Sequence, residues 1–85
     1  MEVTDVRIFL SSREGPTKAY ANLTLDDSFV VRSIKVVQGK NGFFVSMPAR
    51  RLSEGKFQDI CFPITAELRK TIQKKVMDTY NKVSA

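Results

Sequence analysis

Apolar and polar positions alternate with a period of two through the first part of the chain. Val6, Ile8 and Leu10 alternate with Asp5, Arg7 and Phe9. Ala19, Ala21, Leu23 and Leu25 alternate with Tyr20, Asn22 and Thr24. This pattern places the apolar side chains on one face of a strand. Gly15-Pro16, within Ser11–Thr17, is a turn signal between the two. Asp26-Asp27-Ser28 is a second short turn, and its carboxylates are expected to serve turn chemistry. Phe29–Val37, rich in β-branched residues, reads as a third strand. Gly39-Lys40-Asn41-Gly42 is a hairpin signal, since Asn-Gly tolerates the positive φ of tight hairpins, and Phe43–Met47 follows as a fourth strand.

Pro48 ends that strand, and Ala49–Phe57 reads as a polar loop. Ile60–Phe62 is expected to form a short fifth strand stopped by Pro63, with Cys61 a small apolar residue in it, half-buried. The spacing then changes. Leu68, Ile72, Val76, Tyr80 and Val83 recur at steps of three and four, which predicts an amphipathic helix over about residues 66–83. Thr65 is a suitable N-cap, Glu67 lies near the positive helix end and Lys82 near the negative one. The fold class is therefore α+β: a four- to five-stranded antiparallel sheet followed by one C-terminal amphipathic helix.

A chain of 85 residues forms one domain, residues 1–85, with a thin core. Oligomerisation is a source of extra burial for so small a chain. The absence of histidine and the single cysteine leave neither a zinc-ligand set nor an acid–base or nucleophile constellation. The glycine-rich turn joins two strands and opens no helix, so it is not a phosphate-binding loop. We expect no enzymatic activity, cofactor, metal or small-molecule substrate. The acidic start lacks the apolar run of a signal peptide, and no stretch has the length of a membrane span, so a cytoplasmic location and no membrane partner are expected.

Charge is unevenly distributed. Residues 1–30 carry three basic and five acidic side chains, whereas residues 31–85 carry eleven basic and four acidic. A one-sided basic excess points to a polyanionic partner. Two clusters carry it: Arg50, Arg51 and Lys56 after the fourth strand, and Arg69, Lys70, Lys74, Lys75 and Lys82 on the helix. Arginine offers a planar fork of donors matched to phosphate or a guanine edge, whereas lysine is a point charge.

These residues also carry a resemblance. The run from Phe29-Val30-Val31-Arg32-Ser33-Ile34 through Gly39-Lys40-Asn41-Gly42 to Met47-Pro48-Ala49-Arg50-Arg51 resembles the core signature of the stage V sporulation protein G (SpoVG) family. Glu2-Val3-Thr4-Asp5-Val6-Arg7 is similar to that family's start, and Asp59-Ile60-Cys61-Phe62-Pro63-Ile64 to its pre-helix segment. Phe62 stands where members often have histidine, and many members continue into a longer acidic tail, an electrostatic brake on polyanion binding that this sequence is expected to lack. The resemblance implies a small α+β dimer, and a bacterial regulator linked to septation, sporulation and gene control that binds DNA and in some cases RNA. It implies nucleic-acid contacts at Arg50 and Arg51, with the basic helix as a second surface.

Two functions follow as expectations. In the first, a homodimer binds nucleic acid through Arg50, Arg51, Lys56, Arg69, Lys70, Lys74 and Lys75, the arginines reading bases and the lysines neutralising phosphates. In the second, the chain is a protein-interaction factor of the division or sporulation machinery, and its charge only solubilises it.

Overall fold

The computed structural model describes residues 1–84. Its main body is a four-stranded antiparallel sheet formed, in chain order, by β1 (Val3–Leu10), β2 (Thr17–Leu25), β3 (Phe29–Gly39) and β4 (Gly42–Ser46). A second sheet of two short strands follows, β5 (Ala49–Arg51) and β6 (Phe57–Asp59), joined through a single 3-10 turn at Ser53–Gly55. The chain ends in helix α1 (Ala66–Ser84). The class is α+β, with the expected sheet and helix.

The period-two pattern does what it predicts. Ala19, Ala21, Leu23 and Leu25 of β2 are all buried, with Ile34 and Val36 beside them on β3. Helix α1 lies across this face, chiefly against β1, and inserts Ile72 and Val76. Val76 is fully buried, Leu68, Met77 and Tyr80 are partly buried at the margin, and the Tyr80 ring stands 5.6 Å from that of Phe43. Val83, one turn further on, is exposed, so the stripe packs only as far as Tyr80. The helix starts where Thr65 places it: the Thr65 hydroxyl accepts from the Leu68 amide at 3.2 Å.

Both turns at the ends of β3 form. Asp26 and Asp27 adopt φ of 51° and 52°, a conformation that aspartate tolerates better than most residues. The Asp26 carboxylate accepts from the Glu2 amide at 2.8 Å, and the Asp27 amide donates to the Thr4 hydroxyl at 3.0 Å, so the turn also anchors the start of β1. At the other end Gly39 pairs with Gly42 across Lys40-Asn41. The positive φ falls on Gly42 (121°), not on Asn41.

Two features depart from the sequence reading. The segment expected to be a polar loop is the β5–β6 hairpin. The apolar segment Ile60–Phe62, expected as a strand, is an irregular approach to the helix, and Cys61 is exposed. The physical reason is pairing: the hairpin strands find each other, Ala49 opposite Asp59 and Arg51 opposite Phe57, whereas Ile60–Phe62 gains only one such bond, the Ile60 amide donating to the Pro48 carbonyl at 2.7 Å, and the chain then turns away.

The sheet has an open face as well as a packed one. Opposite the buried residues of β2 stand Tyr20, Asn22 and Thr24, and register places Phe9 beside Tyr20 and Arg7 beside Asn22. A bulge interrupts β2–β3: Ala21 pairs with Ile34 but Leu23 with Val31, so Arg32 and Ser33 together oppose Asn22. Ser33 takes φ of 65° to make it. No helix among the described residues is long and apolar enough to cross a membrane.

Candidate nucleic-acid interface

The hairpin holds the first basic cluster. Arg50 and Arg51 lie on β5, and every residue of β5 and β6 is exposed. Because successive side chains of a strand point to opposite faces, the two arginines present to opposite sides of the ribbon. This corrects the expectation that both lie in a polar loop. Arg50 is oriented by its cross-strand partner, donating to the Gln58 side-chain oxygen at 3.2 Å. Arg51 has no side-chain hydrogen bond or ion pair among the described residues. Lys56 closes the turn through its backbone, its carbonyl accepting from the Leu52 amide at 2.7 Å. Glu54, at φ of 64°, and Asp59 are the acids of the hairpin and partly offset its three cations.

The helix cations divide by what they touch. Arg69 donates to the Pro63 carbonyl at 3.4 Å, fastening the irregular segment to the first turn of α1. Lys75 donates to the Val3 carbonyl at 3.0 Å, holding the helix to the start of β1. Both therefore have work in the fold, yet each bond is to a neutral carbonyl, so both residues, which are exposed, keep their charge. Lys74 pairs with Asp78 one turn on at 3.1 Å, with both side chains largely exposed. Such a pair is worth only a few tenths, roughly 0.3–0.5 kcal/mol, and yields readily to a phosphate. Lys70, one turn before Lys74, makes no side-chain hydrogen bond among the described residues.

Of the seven expected contact residues, the structure thus brings together Arg50, Arg51 and Lys56 on the hairpin, and Lys70 with Lys74 on the outer helix face. Arg69 and Lys75, also exposed, are each tied to the fold by one bond to a carbonyl. Gln58 belongs to the site and was not foreseen. The signal for it was Glu54-Gly55, a turn pair midway between Arg51 and Gln58.

Beside the hairpin the surface is apolar. A groove of about 190 Å³ runs between Phe29, Met47, Phe62, Pro63 and Leu68. Phe29 and Phe62 at its rim, with Ile60 and Ile64 next in the chain, are all more than half exposed.

Comparison with known proteins gives one consistent result. The family model SpoVG matches residues 1–82. A protein of Clostridium perfringens named "Putative septation protein SpoVG" is 48% identical over 83 residues, covering 98% of this chain and 92% of its own. Proteins of the same name from Caldicellulosiruptor saccharolyticus and Treponema denticola are 47% and 45% identical. The alignments cover 98% and 96% of this chain, and 94% and 88% of theirs.

Proposed function

Because the chain belongs to the SpoVG family, we propose that it is a cytoplasmic regulator associated with septation and sporulation that binds nucleic acid as a homodimer. DNA is its duplex ligand, and RNA is a second one. The observation that carries this reading is the β5–β6 hairpin, an exposed two-stranded ribbon with arginines on both faces. A ribbon of this kind fits the major groove, where an arginine fork can meet the O6 and N7 of guanine. Gln58 holds Arg50 in one orientation, which lowers the ordering cost of a specific contact. Arg51 is available to phosphate on the other side. Lys70 and Lys74 add sequence-independent attraction.

The apolar groove supports the dimer. A small monomer seldom leaves a contiguous set such as Phe29, Phe62 and Ile64 in water. A second copy related by a two-fold axis would cover both grooves at once and present two hairpins to one duplex. The same apolar surface favours the second reading, a protein-interaction factor, if its occupant is another protein.

The experiment is a titration of duplex DNA against wild type and the Arg50→Ala/Arg51→Ala variant by fluorescence anisotropy, with circular dichroism as control. We expect an unchanged spectrum and an affinity lower by about tenfold or more, since fully engaged arginine contacts are worth ~1–3 kcal/mol each. Unchanged affinity rejects the hairpin as the interface. Sedimentation at micromolar concentration should give twice the monomer mass, and a monomer rejects the dimer.

A further inference from the structure

We infer that the open face of the four-stranded sheet is a separate site for single-stranded nucleic acid, taking unpaired bases by stacking on Phe9, Tyr20 and Phe44. This surface is distinct from the hairpin and does not depend on it.

The register assembles the face. One row runs Phe9, Tyr20, Lys35, Ser46 across all four strands, each residue directly beside the next. The neighbouring row runs Arg7, Asn22 and the bulged pair Arg32 and Ser33. On the other side Val37 pairs with Phe44. The three aromatic residues are 53%, 41% and 47% exposed although each lies within a regular strand. Isolated exposed aromatics are ordinary, but three on one face with cations interleaved are a stacking platform. Four strands spaced about 4.8 Å apart span roughly 15 Å, room for two or three nucleotides.

Two backbone features shape this face. Gly39 lies under the Phe44 ring, and a Cβ built there would come within 3.1 Å of it. Any larger residue there would push the ring edge outward by a few tenths of an ångström. At the bulge, Ser33 takes a left-handed conformation that a non-glycine residue adopts at a cost, and the effect is to keep Arg32 on the open side while Val31 and Ile34 stay on the packed side.

Charge selects the occupant. Arg7, Arg32 and Lys35 stand on the face against Asp5, which pairs with Arg7 at 3.3 Å. A second copy of the chain stacked on this face about a two-fold axis would set these cations against their own images. The groove by Phe29 and Phe62 carries no such penalty. A polyanion with flat bases meets both the charge and the rings. The half-buried Asn22 amide lies between, able to donate and accept at a base edge.

The test uses the intrinsic fluorescence of the full chain, which has two tyrosines and no tryptophan. In Tyr80→Phe, Tyr20 is the sole emitter. Oligothymidylate and oligouridylate should each be titrated, with a mixed-sequence duplex as reference, and the ratio of the two single-strand affinities separates DNA from RNA. We expect quenching of Tyr20 by the single strands. Tyr20→Thr with Phe44→Thr should weaken single-strand binding by about tenfold or more and leave duplex affinity within about twofold. If the threonine variant unfolds, Tyr20→Leu with Phe44→Leu keeps the apolar area, removes the rings and decides the matter. Absence of quenching, or single-strand affinity unchanged by loss of the rings, overturns the inference. So does dissociation of a dimer on replacing Tyr20, which would mark the face as a contact between copies. Loss of duplex binding alone, with quenching intact, would overturn the hairpin reading and leave this one standing.

Discussion

The Lys75 ammonium and the Val3 carbonyl oxygen are 3.0 Å apart, a bond that joins the middle of the helix to the first residue of the first strand. Val3 is itself buried under the helix, 3% exposed. The lysine thus satisfies a main-chain acceptor at the edge of the core. Lys75→Met keeps the stem and removes the donor. It should lower stability by about 1 kcal/mol, or about 4–8 °C in Tm for a domain of this size. Thermal melting monitored by circular dichroism checks it, and duplex affinity should change less than in Lys74→Gln.

Val76 is the helix residue on which the core closes. It is 0% exposed and packs among the β-sheet aliphatics. Val76→Ala removes two methyl carbons and leaves a void, which should cost about 2–3 kcal/mol. In urea unfolding the midpoint should fall while the slope stays the same. A variant as stable as wild type would mean that the helix is not seated on this face.

The bulge at Ser33 makes a conformational prediction. At φ of 65° a β-branched residue is strongly disfavoured, whereas glycine is at ease. Ser33→Val should destabilise the chain by about 1–3 kcal/mol. Ser33→Gly should be neutral or stabilising by up to about 1 kcal/mol. The reverse order in chemical denaturation would show that the bulge relaxes to a regular ladder.

The two kinds of cation should separate on a salt axis. Log K against log[salt] should fall with slope about −0.9 per phosphate neutralised, and a dimer making roughly 4–8 contacts sets the total. Lys74→Gln should reduce the slope by up to about 1 per contact and weaken all sequences alike. Arg50→Lys preserves charge and loses the fork, so it should weaken a preferred sequence more than random duplex. Equal losses on both would reject Arg50 as a reader of bases, and a flat salt response would reject electrostatic binding.

What the sequence disclosed follows from how local each signal is. The Ala19–Leu25 alternation, the Gly39–Gly42 turn and the Thr65 cap are each carried by a few adjacent residues, and each appears as read. The hairpin was missed because Arg50-Arg51 has no alternation and its partner strand, Phe57–Asp59, is only three residues long. Ile60–Phe62 has strand-like composition but pairs only at Ile60, with Pro48, and composition alone does not supply a ladder. The roles of Arg69 and Lys75 lay beyond reading for the same reason. Lys75 meets a carbonyl 72 positions away, and nothing in its own neighbourhood distinguishes it from Lys74. Charge placement singled out two basic clusters, and only tertiary contacts tell which of their members also bond within the fold.

The hairpin has a consequence for how binding responds to temperature. A ribbon of two strands, three residues each and solvated on every residue, is marginal in water when it stands alone. Its opening free energy lies near the low end of the spectrum a protein spans, far below that of the sheet. Amide exchange at Leu52, whose N–H reaches the Lys56 carbonyl, should therefore run orders of magnitude faster than at Ile34. A ligand that needs both arginines in register must draw the ribbon from this fraying equilibrium, and its apparent affinity is reduced by the fraction of time the ribbon is open. Warming should then loosen the complex well before the sheet melts, giving the molecule a thermal threshold for release that is set by the hairpin and is independent of the core.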